Sequence, residues 1–365
     1  MIEASLFFCF LLTFLFIFLK SFTTKSDPFT VNYLSLHTNR HRLIEWTSDV
    51  VNSSPTLTIA ISRPFSLNRI ITANPAVVHH ILKTKFSTYP KGDMIRSNLF
   101  DLLGEGIFNV DGDEWKFQRQ ICSHEFNTKS LKHFVEHVVD VELNERLLPI
   151  LTAAAAQHLV LDLQDILQRF AFDNISRIAF GYDPAYLTSS FPNPKFAVAF
   201  EDAVRISTER NLAIESEIVK EIKEKSDSPV YDEVKDMCYT HASLCESMRL
   251  YLPVPVDSKK GMMVEKVWGG DWKEFRPERW LEKDERTEKV RVAAKDSYAY
   301  PVFQAGPRIC LGKDMAFLQM KKVVAGVLGR FKVVPAVGDG GEPVLEMGLT
   351  MRMKDGFPVR IEERK

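Results

Sequence analysis

The residues with the most chemical content lie in the run Phe303-Gln-Ala-Gly306-Pro-Arg308-Ile-Cys310-Leu-Gly312. A cysteine serves either as a small packed side chain or, deprotonated, as a soft anionic metal ligand. The neighbours here suit the second role. Gly306 allows a tight turn that aims backbone N–H groups at the sulfur. A helix beginning near Leu311 would set its positive N-terminal end against a thiolate. Gly312 lets that helix lie close to a flat group, Phe303 would shield the sulfur from water, and Arg308 can make charged hydrogen bonds to a propionate. The chemistry that joins these features is a haem iron held through Cys310, whose sulfur pushes electron density toward bound dioxygen. A structural cysteine would need none of these neighbours.

Three further motifs precede or adjoin this loop. Glu246-Ser-Met-Arg249 places two opposite charges three residues apart, on one face of a helix. Phe275-Arg-Pro277-Glu278-Arg279-Trp280 follows it. Trp115-Lys-Phe-Gln-Arg119 sets an indole N–H and a guanidinium four residues apart, again on one face. Taken alone, each has an ordinary reading: a surface salt bridge, or a core tryptophan beside a surface arginine.

Together and in this order, the four segments resemble the signature of the cytochrome P450 superfamily, the haem-thiolate monooxygenases. The resemblance implies a heme cofactor with Cys310 as its axial ligand, and cofactor contacts from Trp115, Arg119, Phe303, Gly306, Arg308 and Gly312. It implies that Glu246, Arg249 and Arg279 form a buried charge network locking the chain that leads to Cys310. The stretches ANPAVVHHILKTKFSTYPKG, FNVDGDEWKFQRQICSHEF and EKVWGGDWKEFRPERW are similar to the plant fatty-acid and oxylipin omega-hydroxylase branch, over residues 57–210 and 215–361. On that likeness Leu99, Phe100, Leu103, Ile107 and Phe108, with Val254, Val256 and Leu349, would line the substrate pocket. Ordinary loop packing is the competing reading for these apolar side chains.

The sequence also departs from the pattern. The central distal helix of such enzymes carries an acid and an alcohol that deliver protons to bound oxygen, and no such motif occurs here. The chain passes near 210–211 from one helix-like segment to a much later one, and a smaller gap falls at 260–263. No catalytic acid or alcohol is therefore identified. Two functions stay open: hydroxylation of an apolar substrate such as a fatty acid, or a non-catalytic, internally truncated relative that keeps its anchor, with or without haem. A cysteine nucleophile with His124 or His241 as base is a third idea resting on residue types alone.

The elements that must position these residues are mainly helical. Apolar periodicity marks helices over Leu131–Val141, Leu163–Ala179, Val234–Met248 and Met315–Leu328. Leu57–Ser62 and Arg69–Ala73 read as a hairpin, Asn74-Pro75 as a helix start, and Phe357–Ile361 as a closing strand. The expected fold is mainly α with a minor β-sheet, a P450-like domain over 57–365 that lacks the central distal helix. Residues 1–20 read as an N-terminal transmembrane anchor and 21–56 as a linker. Positive charges after the anchor put the body on the cytosolic side of the endoplasmic reticulum membrane.

With 365 residues, 45% hydrophobic, the chain can bury a large core. Its net charge of -1 and lack of a basic aromatic stripe give no support for a nucleic-acid partner, and none is expected. Five scattered cysteines argue against a disulfide framework or a structural zinc site. No flavin or nicotinamide fingerprint is present, so electrons would come from an external NADPH-dependent flavoprotein reductase. Lys313, Lys321, Lys322, Arg330 and Lys332 would offer it a basic face, or else are plain surface charge.

Overall fold

The β-branched runs pair as their spacing predicts. In the computed structural model of the chain, strands β1 (Thr30–Asn32), β2 (Thr58–Ser62) and β3 (Arg69–Thr72) form one sheet, β1 parallel and β3 antiparallel to β2. The structure describes residues 30–32, 35, 38–39, 43–62, 69–92, 96, 100, 103–188, 190, 230–250, 253, 265–284, 288–336, 345–347 and 351–364. The expected anchor at 1–20 and both expected deletion points lie outside them. Among the described residues no helix is long and apolar enough to cross a membrane.

Part of the expected linker is folded. Helix α1 (Leu43–Ser53) buries Trp46 and Val51, and Val51 packs with Leu57, just before β2, and Ile59 within it. The polar character of this stretch concealed the short apolar stripe. Asn74 caps helix α2 (Pro75–His79) by accepting the Ala76 N–H at 3.0 Å.

After α3 (Gly112–Ser123), a continuous helical run joins α4 (Thr128–His133), α5 (Asp140–Glu142) and α6 (Leu148–Gln157) through π-helical turns at Phe134–Val139 and Leu143–Leu147. Pro149, which has no N–H to donate, comes just after the second of these π-helical turns. Strand β4 (Val160–Asp162) leads into α7 (Leu163–Phe180), whose N-cap Asp162 accepts from Gln164 and Asp165.

The single helix expected over Val234–Met248 is two, α8 (Tyr231–Lys235) and α9 (Cys238–Leu250), broken at Asp236 and Met237. Met237 is buried and keeps the apolar stripe in register, which is why periodicity alone read straight through the break. The short α10 (Glu265–Trp268) and the hairpin β5 (Leu281–Lys283) with β6 (Val290–Val292) precede α11 (Lys313–Arg330). Strand β7 (Phe331–Pro335) follows, then β8 (Leu345–Met347) paired with β9 (Met351–Met353), and β10 (Pro358–Glu363) antiparallel to both β4 and β7.

The main core lies where α4–α6, α7 and α11 meet this C-terminal sheet, around Val135, Leu147, Leu151, Ile166, Phe170 and Val359. A second core, around Trp280, Met248 and Phe317, sits beneath the Cys310 loop. The lysines expected on the surface of α11 are not all there. Lys322 is buried and pairs with Asp140 at 2.7 Å, and Lys321 donates to the Lys235 carbonyl at 3.0 Å. Lys321 thus closes the C-terminal end of α8, where a cation is favoured, and neither side chain can contribute to a basic docking face.

Candidate functional site

The Cys310 loop is built from two left-handed residues and one close approach. Gln304 has φ 60° and Gly306 φ 66°. A side chain on Gly306 would also run into the Leu82 carbonyl, so glycine is required there twice over. The Cys310 N–H donates to the Phe303 carbonyl at 2.8 Å and closes the loop. Phe303 packs on Phe317 of α11, ring centres 5.3 Å apart.

Two backbone N–H groups reach the Cys310 sulfur, those of Gly312 and Lys313. They come from the start of α11 rather than from the Gly306 turn. Burial lifts the thiol above its ordinary value, and the Gly312 N–H, the Arg119 charge, the Lys313 N–H and the Lys313 charge oppose that lift without overcoming it. Cys310 as a residue is nonetheless exposed. A Cβ on Gly312 would lie 3.9 Å from the sulfur and 3.5 Å from Phe126.

Arg308 is held from the opposite side. Its Nη2 donates to the Val110 carbonyl at 2.7 Å and to Asp111 Oδ1 at 2.6 Å, and its Nη1 to the Ile107 carbonyl at 3.4 Å. Its guanidinium carbon lies 4.6 Å from the centre of the Trp115 ring, which is buried and rests on Phe86 at 5.3 Å. Arg119, one turn along α3, is close enough to feel the charges of both Cys310 and Arg308. The structure therefore sets Arg308 against Trp115, and Arg119 within electrostatic reach of both Cys310 and Arg308.

The predicted charge network is present and larger than expected. Arg249 grips both Glu246 oxygens, Nε to Oε2 at 2.8 Å and Nη2 to Oε1 at 2.9 Å. Arg279 Nε adds a bond to Oε1 at 2.7 Å, and so does the Arg276 backbone N–H at 2.9 Å. Trp280 Nε1 donates to Oε2 at 2.7 Å. Burial alone would raise the Glu246 carboxyl, but Arg249, the Arg276 N–H and Trp280 together hold it below the usual carboxylate range. The remaining Arg249 donors bind the Trp272 and Glu274 carbonyls, so one carboxylate pins residues 272–280 under the Cys310 loop.

Of the expected pocket residues, Leu99, Val254, Val256 and Leu349 lie outside the described residues. Phe100 and Phe108 are exposed, and Leu103 and Ile107 are half-buried. The nucleophile alternative gains nothing from the geometry. His241 stacks on Phe317 at 4.0 Å and is pushed down to about 3, by burial and by Lys321 and Lys313. Cys245 is buried and pushed up to about 12.

Sequence reasoning missed a second polar cluster. Glu142 and Asp173 are fully buried beside Asp183, and the three carboxylates meet Arg146 and Arg177. Asp173 also accepts the N–H groups of Tyr186 and Leu187 at 3.0 and 2.8 Å. The two guanidiniums balance two of the three acids, burial and Asp173 favour the protonated form of Glu142, and the cluster ties the 183–187 segment to α5 and α7.

Comparison with known proteins places this arrangement. The family model described as Cytochrome P450 matches residues 53–202 and 261–357. The chain belongs to the cytochrome P450 family. It is 42% identical to Cytochrome P450 94A1 of Vicia sativa, covering 93% of this chain and 90% of that protein. It is 33% identical to Cytochrome P450 94B1 of Arabidopsis thaliana, covering 91% and 89%. The crystal structure of a cytochrome P450, CYP102L1, superposes with a TM-score of 0.62 at 15% identity, covering 84% of this chain and 95% of that one, which shows the shared P450 fold.

The alignment with 94A1 runs over 464 positions, although this P450 has 365 residues in all. More than a fifth of those positions therefore have no residue of this chain, and the family match itself breaks between 202 and 261. As a P450 the chain takes a haem held by a cysteine thiolate and belongs to a family of monooxygenases. The donor set described above fits that group: a thiol facing two N–H groups, with two adjacent guanidiniums whose mutual repulsion a pair of carboxylates would relieve.

Proposed function

We propose that Cys310 is the axial thiolate of the haem and that the chain is a monooxygenase acting on an apolar, fatty-acid-like substrate. The observation that carries this reading is the Cys310 thiol facing the Gly312 and Lys313 N–H groups and the Arg119 charge, with Trp115, one turn from Arg119, stacked against Arg308 of the same loop. The bound haem would supply dioxygen activation, with one oxygen atom inserted into a substrate C–H bond. The N–H groups of Gly312 and Lys313 would steady the negative sulfur. Arg308 and Arg119 would hold the propionates, with Trp115 covering the Arg308 guanidinium. Phe303 and Phe317 would keep water from the sulfur side, and the Glu246 network would fix the chain beneath it. The Met94–Val110 loop would wall the substrate side. Electrons would come from an NADPH-dependent flavoprotein reductase, with residues 1–20 anchoring the chain in the endoplasmic reticulum membrane and its body in the cytosol.

A second reading is a truncated family member that binds haem without turning over. It is favoured by the shortfall against 94A1 and by exposed apolar side chains on two helices: Phe117 and Ile121 on α3, Ile175 and Ile178 on α7. On this reading the absent segment includes the distal helix with its proton-delivering acid and alcohol. The deciding experiment supplies the haem-loaded chain with reductase, NADPH and a fatty acid, and follows products by mass spectrometry. Hydroxylated fatty acid supports the first reading. Peroxide release without any hydroxylated product supports the second.

A further inference from the structure

Asp111 stands at the N-cap of α3, with extended backbone (φ −121°, ψ 178°), where an aspartate ordinarily accepts N–H groups of its own helix. Its side chain makes no such bond. Oδ1 instead takes Arg308 Nη2 at 2.6 Å, and Oδ2 takes the Lys91 N–H at 3.0 Å. One carboxylate thus joins three segments distant in sequence: the turn at 91, the start of the helix carrying Trp115 and Arg119, and the loop carrying Cys310.

The charges explain why a carboxylate is needed there. Arg119 and Arg308 are neighbours of like sign, and each disfavours the other's charge. Arg308 is 10% exposed and Asp111 26%, so water screens the pair only in part. Asp111 supplies a compensating negative charge directly on Arg308, while the Val110 and Ile107 carbonyls and the Trp115 face fix the plane of the guanidinium.

We infer that Asp111 is a positioning residue for the haem: it holds Arg308 beside Arg119 so that both guanidiniums face the propionates. The inference rests on the reading of Arg308 and Arg119 as propionate donors. An Asp111→Asn side chain keeps the shape and loses the charge, and charge-assisted bonds are about twice as strong as neutral ones. Haem should therefore leave Asp111→Asn roughly ten-fold faster than wild type, while the thiolate signature of the reduced carbon-monoxide complex stays unchanged.

The test loads the full chain with haem and measures its transfer to excess apo-globin for wild type, Asp111→Asn, Arg308→Gln and the double variant. If Asp111 acts through Arg308, the double variant loses haem no faster than Arg308→Gln alone. A purely structural role would instead make the two effects multiply, and that result overturns the inference. So does unchanged or slower haem loss from Asp111→Asn, the latter meaning that Asp111 competes with a propionate for Arg308. A wild-type chain that takes up no haem sinks the underlying reading and this inference with it, whereas stable wild-type haem with an indifferent Asp111→Asn sinks this inference alone.

Discussion

Glu246 is a buried charge held by five donor contacts from Arg249, Arg276, Arg279 and Trp280. A buried ion is tolerated only when its lone pairs are satisfied, so removing one donor costs more than the bond itself contributes. Trp280→Phe keeps an aromatic ring but loses the indole N–H and part of its volume at a fully buried position, and should destabilise the fold by at least about 1–3 kcal/mol, read from denaturant midpoints. Gly306→Ala should act more locally. The left-handed backbone and the Leu82 carbonyl leave no room for a methyl group, so haem content should fall while far-ultraviolet circular dichroism holds its helical signal. At this scale the sequence was legible where spacing is local. Trp115 with Arg119, and Glu246 with Arg249, share a helical face by arithmetic. The Trp280 bond to Glu246 and the Asp111 bond to Arg308 span 34 and 197 residues, and no local pattern foretells them.

Between elements, one close approach joins α11 to the π-helical turn at Leu143–Leu147. A Cβ on Gly326 would lie 2.7 Å from Leu143 Cδ2. Gly326→Ala should cost about 1–3 kcal/mol by overpacking, and Leu143→Val in the same chain should recover part of it, as equilibrium unfolding of the two variants would reveal. Periodicity located α7, α11 and most of α9 because each buries an apolar stripe. It missed the break at Asp236–Met237, where the stripe continues through non-helical residues, and it misplaced Lys321 and Lys322. Their partners, the Lys235 carbonyl and Asp140, lie on other helices, and burial of a lysine is decided by such partners rather than by its neighbours in sequence.

For the whole molecule, the Glu142 cluster sets a dependence on pH. Burial and the adjacent Asp173 charge push the Glu142 carboxyl up to about 8 from the ordinary 4.5. Between these values the folded chain holds a proton that the unfolded chain has released, so this group's contribution to stability falls as pH rises through that window. Asp183 has the opposite sign. Its bonds to Arg146 and Arg177 hold it well below the carboxylate range, and its contribution is lost only as the pH falls below that range. Glu142→Gln mimics the protonated acid, so its stability relative to wild type should rise steadily from about pH 5 to about pH 8 in urea titrations. The fold class and cofactor were legible because the Cys310 loop, the Glu246 helix and the Trp115 helix carry their spacing in the sequence. This cluster was not, because its acids come from three elements that only the packed core brings together.

All of this turns on the sulfur of Cys310. Haem-loaded chain, reduced and exposed to carbon monoxide, should give the strongly red-shifted Soret band of a thiolate-ligated ferrous iron, and Cys310→Ala should abolish it together with haem retention. A Soret band typical of imidazole ligation in the wild type, or full haem content with the same band in Cys310→Ala, would contradict the assignment.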